Sequence, residues 1–145
     1  MIVMKKLLFI FFLFPLLSFS QNGMITEYYE SGRVLSQIHY VDGVQDSLCR
    51  YYHDYGAWAI MSEVNYKNGK MIGVLKTYFK TGELEHEGHY KYTDKGVYSK
   101  KDGVWKTYYQ DGQLRMESII KDGIQVEWKS YDTDGTLQLM NEDGC

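Results

Sequence analysis

A short pattern built around a glycine recurs five times along the chain, and it constrains the fold more than any other feature. The five glycines stand 23 to 30 residues apart, a spacing typical of repeat proteins. A tyrosine lies four positions before each glycine, and an apolar residue lies two positions after it. The chain is therefore predicted to be an array of one small unit. The glycines are Gly32, Gly56, Gly82, Gly112 and Gly135, the tyrosines are Tyr28, Tyr52, Tyr78, Tyr108 and Tyr131, and the apolar residues are Val34, Trp58, Leu84, Leu114 and Leu137.

Two kinds of glycine turn divide each unit. The recurring glycine suits the tip of a hairpin, because glycine tolerates a positive φ. An Asp-Gly or Asn-Gly pair then closes the unit, and such pairs between apolar runs are the strongest short-range hairpin signal. Connections this short exclude helical crossovers. The closing pairs are Asp42-Gly43, Asn68-Gly69, Asp102-Gly103, Asp122-Gly123 and Asp143-Gly144.

The predicted fold is all-β, an elongated antiparallel meander of about five stacked β-hairpin repeats preceded by a signal peptide. Composition agrees, since 14 Tyr, 14 Gly and a single Pro favour strands joined by tight turns. The repeat domain is expected to span residues 21–145, with units at about 25–43, 47–69, 72–103, 104–123 and 124–144.

Alternation along a strand divides the side chains of each unit between two faces. The column seven positions before the glycine is apolar, and the next column is mostly basic. The basic column shares its face with the recurring tyrosines, so one face is predicted to be mostly apolar and the other a ladder of tyrosines beside Lys or Arg. The basic stems are expected to lie along the tyrosine rings. The apolar column is Ile25, Cys49, Leu75, Trp105 and Trp128, and the basic column is Thr26, Arg50, Lys76, Lys106 and Lys129.

Two units depart from the pattern. The third carries an insertion at 91–101 (KYTDKGVYSKK), which is expected to form a longer loop or an extended hairpin. The insertion is either a tolerated surface feature or a binding loop. The fifth unit lacks a full second strand and is either a cap or an edge open to pairing with another chain.

Residues 1–20 have the pattern of a secretory signal peptide. Lys5 and Lys6 precede the apolar run Leu7–Leu17, and small residues mark a cleavage site after Ser20. The run is short for a membrane span, so a secreted or periplasmic chain without an integral span is predicted. Removal of this segment leaves 14 basic and 19 acidic side chains, a net charge of −5, which argues against nucleic-acid binding.

The two cysteines have two interpretations. In an oxidising compartment Cys49 and Cys145 could pair as a disulfide. Cys49 also stands in a column that holds Ile, Leu or Trp in the other units, which indicates a small buried hydrophobe.

Candidate chemistry is sparse. The segment 82–90 (GELEHEGHY) places Glu83, Glu85, Glu87 and His89 on one strand face, but a solvated outer face explains the same residues. No nucleophile motif or phosphate loop is present, so neither an enzyme nor a metal or cofactor site is predicted. The candidate ligand-binding residues are the tyrosines of the ladder, Tyr28, Tyr52, Tyr78, Tyr108 and Tyr131, which could stack on sugar rings, hold a peptide or serve packing alone.

The segments WKTYYQDGQL, LKTYFKTGEL and WKSYDTDGTL resemble the MORN repeat variant found in bacterial proteins of the YwqK-type antitoxin family of toxin–antitoxin systems. The resemblance covers about Ile25–Gly144. It implies stacked β-hairpins, a protein- or membrane-associating scaffold and no catalytic residues. The expected function is an exported, non-enzymatic interaction module that binds a protein partner. The alternatives are a cell-wall or glycan-binding module that uses the tyrosine ladder, and a toxin-neutralising antitoxin, which for an exported chain requires an exported toxin.

Overall fold

A computed structural model describes residues 21–56, 59–93 and 99–138, and these residues form one open antiparallel sheet. Sheet order follows chain order, except that the short β3 pairs only with β2. No described residue is helical, so the all-β meander is confirmed. The strands are β1 Gly23–Tyr28, β2 Val34–Val41, β3 Val44–Gln45, β4 Ser47–Tyr52, β5 Ile60–Lys67, β6 Lys70–Tyr78, β7 Leu84–Tyr92, β8 Ser99–Tyr108, β9 Leu114–Lys121, β10 Ile124–Tyr131 and β11 Leu137–Gln138.

Some predicted features fall outside these ranges. They are the signal peptide, Trp58, the Asp143-Gly144 pair and Cys145, and with Cys145 the alternative of a disulfide to Cys49. Within the described ranges there is no helix with the length and apolar character that a membrane crossing needs.

The glycine turn predicted at the tip of each unit is confirmed in the first, third, fourth and fifth units. In the fourth unit the N–H of Gly112 donates to the carbonyl of Tyr109 at 2.9 Å, and the N–H of Tyr109 donates to the carbonyl of Gln113 at 2.8 Å. Gly112 has a φ of 86°, which a residue with a Cβ rarely adopts. The same pair of hydrogen bonds recurs around Gly32, Gly82 and Gly135.

Three closing turns are also confirmed. Asp42, Asn68 and Asp122 have φ of 51°, 51° and 52°, and the glycine after each also has a positive φ. Two consecutive residues at positive φ make the type I′ turn, whose twist matches that of the strands it joins.

The prediction for Asp102-Gly103 is wrong. This pair lies inside β8 and begins the fourth unit instead of closing the third. Asp102 stands ten residues before Gly112, as Asp46 stands ten residues before Gly56. The Oδ1 atom of Asp102 accepts the N–H of Asp122 at 3.3 Å, so this carboxylate supports the closing turn of its own unit.

The insertion of the third unit extends a hairpin, as one of the two sequence interpretations predicts. Lys91 pairs with Lys100, and Tyr92 pairs with Ser99, beyond the length of the other hairpins. The Nζ atom of Lys91 lies 2.9 Å from Asp102 and 3.2 Å from Asp122, so the inserted strand is tied to the fourth unit.

A β-bulge recurs at the same place in four units. It falls one residue before the tyrosine of the ladder, between Thr77 and Tyr78 in the third unit. In the second unit, the residue opposite Tyr52 is Ile60, two positions beyond the predicted Trp58. Because bulges bend a strand and increase its twist, their repetition curves the sheet at regular intervals. The equivalent bulges lie at Glu27/Tyr28, Tyr51/Tyr52 and Thr107/Tyr108.

Direct cross-strand pairing defines the two faces of the sheet. The residues paired in one row with the predicted apolar column form the Trp row: Ile25, Ile38, Cys49, Val64, Leu75, Gly88, Trp105, Ser118 and Trp128. We call the side that carries this row the Trp face and the opposite side the ladder face. Cys49 is 0% exposed, and Ile38 and Val64 are also buried, so most of the core lies on the Trp face. The interpretation of Cys49 as a small buried hydrophobe is confirmed.

Candidate functional site

The ladder face carries a row of charges that alternate in sign from strand to strand. Arg50 pairs with Glu63, Glu63 with Lys76, and Lys76 with Glu87, and the order continues through Lys106. Opposite charges on directly paired residues stabilise a sheet. The full charge row is Thr26, Gln37, Arg50, Glu63, Lys76, Glu87, Lys106, Glu117 and Lys129.

The strength of these ion pairs differs along the row. The Nε atom of Arg50 lies 2.8 Å from Glu63, whereas the Nζ atom of Lys106 lies 3.9 Å from Glu117. Burial raises the pKa of Glu63, but hydrogen bonds from Arg50 and Tyr78 outweigh it and leave the pKa below its ordinary value. The basic column was predicted from the sequence, but the acidic residues between its members were not. The sequence does carry a signal for them, because Glu87 and Glu117 lie five residues after Gly82 and Gly112.

The hydroxyls of three predicted ligand-binding tyrosines donate into this row. Tyr52 donates to Gln37 at 2.7 Å, Tyr78 to Glu63 at 2.9 Å, and Tyr108 to Glu87 at 2.6 Å. The hydroxyls therefore bond to residues of the neighbouring strand in the charge row. The head groups of Arg50 and Lys106 lie against carboxylates of the same row. Burial, followed by the hydrogen bond to a glutamate, raises the pKa of both Tyr78 and Tyr108 to about 12.

The five tyrosines differ in exposure. Tyr52 is 4% exposed, Tyr78, Tyr108 and Tyr131 are half-buried, and Tyr28 on the first strand is 61% exposed. The structure brings them into one row, with an aliphatic residue between neighbouring tyrosines. In the centre of the sheet, the hydroxyl groups are engaged within the protein and only parts of the rings face solvent.

The acidic segment 82–90 is divided between the faces. Glu87 lies in the charge row, whereas the Nδ1 atom of His86 lies 3.0 Å from Thr107 Oγ1 on the Trp face. The described part of the chain brings no three His, Cys, Asp or Glu side chains together in a geometry suited to a metal ion.

The Trp face holds a site that centres on Trp105. A Cβ atom at Gly88 would lie 2.1 Å from Cδ2 of Trp105, so the indole lies directly on the backbone of the neighbouring strand. The ammonium of Lys101 is 4.0 Å from the ring centroid, and the ring of Tyr90 meets the indole edge-on at 5.3 Å and 88°. Three neighbours from β7 and β8 therefore fix the position of the indole.

A groove of about 340 Å³ opens beside this indole. Its walls are apolar or carry hydrogen-bond donors, and none of the described lining residues is acidic. Three polar atoms in the lining are buried without a protein partner: Thr77 Oγ1, Trp105 Nε1 and Ser118 Oγ. The lining residues are Leu75, Thr77, His86, Tyr90, Lys101, Trp105, Thr107, Met116, Ser118, Ile120 and Gln125.

Strands β6, β8 and β9 supply these polar groups, and the register of the four strands β6 to β9 sets their positions. Trp105 on β8 pairs directly with Ser118 on β9, and Thr77 on β6 pairs with His86 on β7. The sequence pattern places Trp105 in the apolar column and does not predict what surrounds it. The sequence does carry a signal of the space that the indole fills. Gly88 is much smaller than Ile38, which holds the same position in the first unit.

Comparison with known families agrees with the repeat geometry. Three stretches, residues 18–42, 71–92 and 101–122, match the MORN repeat variant. Three of the chain's units are therefore similar to the MORN repeat variant. The three matches correspond to the first, third and fourth units and together cover just under half of the chain. The second MORN-like unit differs by the two extra residues before Ile60, and the fifth has only two described residues in its second strand.

The structural comparison finds a distant similarity. A chain of the structure titled "Crystal structure of GtfA/B complex" aligns with a TM-score of 0.43 and 11% sequence identity, over 79% of the present chain. The present chain spans 21% of the length of that chain. No curated protein matches it in sequence.

Proposed function

We propose that this chain is an exported, non-enzymatic interaction module that binds a protein partner on its Trp face. The observation that carries the proposal is the groove beside Trp105, which combines apolar walls with buried donors that have no protein partner. A buried polar group without a partner is unfavourable, and a bound ligand can satisfy it. MORN repeats generally serve as interaction modules, which supports the same reading.

The surface next to the groove also favours a protein partner. Trp128 on β10 belongs to the Trp row and is 38% exposed, and Gln125 of the same strand lines the groove. A partly exposed tryptophan beside a pocket is typical of protein-binding sites. The groove and β10 together offer a longer contact than a small ligand needs.

The two alternatives receive less support. A glycan stacked on the tyrosine ladder would meet half-buried rings at Tyr78 and Tyr108, whose hydroxyls are already bonded to Glu63 and Glu87. Antitoxin activity rests on resemblance to the YwqK-type family, and no feature of the groove favours a toxin over another protein. Export rests on the signal-peptide pattern of residues 1–20. Fractionation of cells producing the full chain tests it, since a cytoplasmic, uncleaved chain would contradict export.

Site-specific photo-crosslinking tests the docking face. A photoreactive amino acid replaces Gln125 at the groove in one variant and Val104, 48% exposed on the ladder face, in the other. The proposal predicts a discrete protein adduct from position 125 in living cells, and none from position 104. Ser118→Ala added to the first variant should weaken that adduct. Adducts of equal yield from both positions, or none from position 125, would contradict the proposal.

A further inference from the structure

We propose that the groove beside Trp105 receives the C-terminal carboxylate of a partner polypeptide, with the apolar side chain of its last residue against the groove walls. This inference rests on the proposed function and adds the chemical group that the site recognises. It depends on three features of the groove: its charge, its hydrogen-bond donors and the nature of its walls.

The charge of the groove is opposite to that of the rest of the chain. The sequence has 19 acidic and 16 basic side chains, yet the described groove lining contains Lys101 and no carboxylate. Among the described residues, Lys101 forms no ion pair, and its ammonium rests on the indole of Trp105 at 4.0 Å. Glu85 does not line the groove, but its carboxylate lies 3.8 Å from Nε2 of the lining residue His86. A cation without a carboxylate partner favours an anionic ligand.

The unpartnered polar atoms can all donate hydrogen bonds. The indole N–H of Trp105 is a donor only, and the hydroxyls of Thr77 and Ser118 can each donate one hydrogen. Ser118 lines the groove and is 3% exposed, so its hydroxyl has little access to bulk solvent. Hydrogen-bond donors in the same groove as a cation suit a carboxylate, which has two acceptor oxygens.

The walls and the volume select the rest of the ligand. Leu75, Met116 and Ile120 line the groove with aliphatic surface, which suits an apolar side chain better than an inorganic anion. A volume of about 340 Å³ lies near the lower end of the range of ligand pockets, so the groove holds a terminal residue and not a long segment. Capture of a terminal carboxylate is a recurring mode of peptide recognition.

Fluorescence polarisation with defined peptides tests the inference. The probe is a pool of fluorescently labelled pentapeptides that end in leucine with a free carboxylate. The same pool with a C-terminal amide serves as the matched ligand. We expect the free-carboxylate pool to bind the full, signal-cleaved chain at least tenfold more tightly than the amidated pool. N-acetyl-leucine and inorganic phosphate are added as competitors, and each should displace the probe only at far higher concentration than an unlabelled peptide does.

Variants of the groove locate the interaction. Lys101→Gln and Ser118→Ala should each weaken the probe about tenfold. Lys100→Gln is the control, because Lys100 is an adjacent exposed lysine whose side chain packs on Gly123 and does not line the groove. Ser118→Ala removes a buried hydroxyl that has no partner, so the unfolding midpoint should not fall while the affinity does. A purely structural role for Ser118 would move the two readouts together.

Each contrary result overturns a distinct part of the inference. Equal binding of amidated and free peptides would exclude carboxylate recognition, while the docking of a protein on the Trp face would stand. Displacement by N-acetyl-leucine or phosphate at peptide-like concentrations would show a small-anion site in place of a polypeptide site. Absence of peptide binding would overturn the inference, and the crosslinking experiment would then decide the proposed function separately.

Discussion

The Trp row divides into two halves that share a backbone and differ in the sizes of their side chains. The first half runs from Ile25 to Leu75 and consists of medium-sized residues, with Cys49 fully buried. The second half alternates the largest and smallest side chains: Gly88, Trp105, Ser118 and Trp128. Medium neighbours fill the first half evenly and leave it as core. In the second half, the indole of Trp105 fills the space above Gly88, and a groove remains beside it.

Pairing register alone does not decide which part of this repeat array forms a groove. Cys49 opposite Val64 and Trp105 opposite Ser118 occupy equivalent positions of their hairpins. A site arises where one large side chain concentrates the apolar contact and its small neighbours leave polar groups without partners. The aliphatic half supports the sheet, and the tryptophan half carries the groove.

Truncation of the indole should produce the largest difference between the halves. Trp105→Ala should lower the free energy of unfolding by about 3 kcal/mol, the lower end of the range for aromatic truncations, because Trp105 is half-buried. Trp128→Ala removes the same side chain from an exposed position, at 38% exposure, and should change stability by about 1 kcal/mol or less. Urea unfolding measures both. Equal losses would show that Trp105 has no special position in the row.

Alanine at two equivalent positions should destabilise the halves for opposite reasons. Gly88→Ala overpacks the contact with Trp105 and should cost about 1–3 kcal/mol. Val64→Ala underpacks the aliphatic half and should cost a similar amount, about 1–2 kcal/mol, by leaving a small cavity.

A double-mutant cycle separates the two mechanisms. Trp105→Leu should relieve most of the loss caused by Gly88→Ala, since the atoms that clash are those of the indole. The same Trp105→Leu change should leave the effect of Val64→Ala unaltered, because these residues lie three strands apart. Strict additivity in the Gly88 cycle would contradict the close contact of indole and backbone.

The charge row on the ladder face should show a smaller difference that depends on pH. Glu63→Gln should cost about 1 kcal/mol at neutral pH, and Glu117→Gln only about 0.3 kcal/mol, because both ion pairs are partly exposed and the second is longer. The folded-state pKa of Glu63 lies below its ordinary value near 4.5. Its stabilisation is therefore present above that value and is lost as pH falls through the folded pKa.

Unfolding curves of the wild type and of Glu63→Gln at several pH values check this. The difference in their free energies of unfolding should shrink as the solution is acidified below about pH 4.5. A difference that grows on acidification would mean that the pKa of Glu63 is raised in the folded protein.

The sequence predicted the local features well, because hairpins depend on local chemistry. The turn at Gly112 and the type I′ turns at Asp42 and Asp122 follow from glycine, Asp and alternation alone. The two faces follow from strand geometry. The prediction of a closing turn at Asp102-Gly103 was wrong because an Asp-Gly pair also suits a bulged strand. The spacing to Gly112 distinguishes a bulged strand from a closing turn. Asp102 stands ten residues before Gly112, as Asp46 stands ten residues before Gly56.

Contacts between side chains of neighbouring strands could not be predicted from the alignment of the repeats. Trp58 was aligned in place of Ile60 because two extra residues shift the register within one unit. The acidic half of the charge row and the contact of Trp105 with Gly88 both join side chains from adjacent strands. The groove also needs the register of four strands, β6 to β9, to bring Thr77 and Ser118 to the same indole.

The most direct test of the groove as the binding site is an NMR spectrum of the protein labelled with ¹⁵N in its tryptophan side chains. The free-carboxylate pentapeptide pool is added in steps, and the indole N–H signals are followed. We expect the Trp105 signal to shift most, because its unpartnered N–H gains an acceptor, and the Trp128 signal to shift less. The amidated pool should leave the chemical shift of Trp105 unchanged. A Trp105 signal that stays fixed while peptide binds would place the site elsewhere and contradict the account.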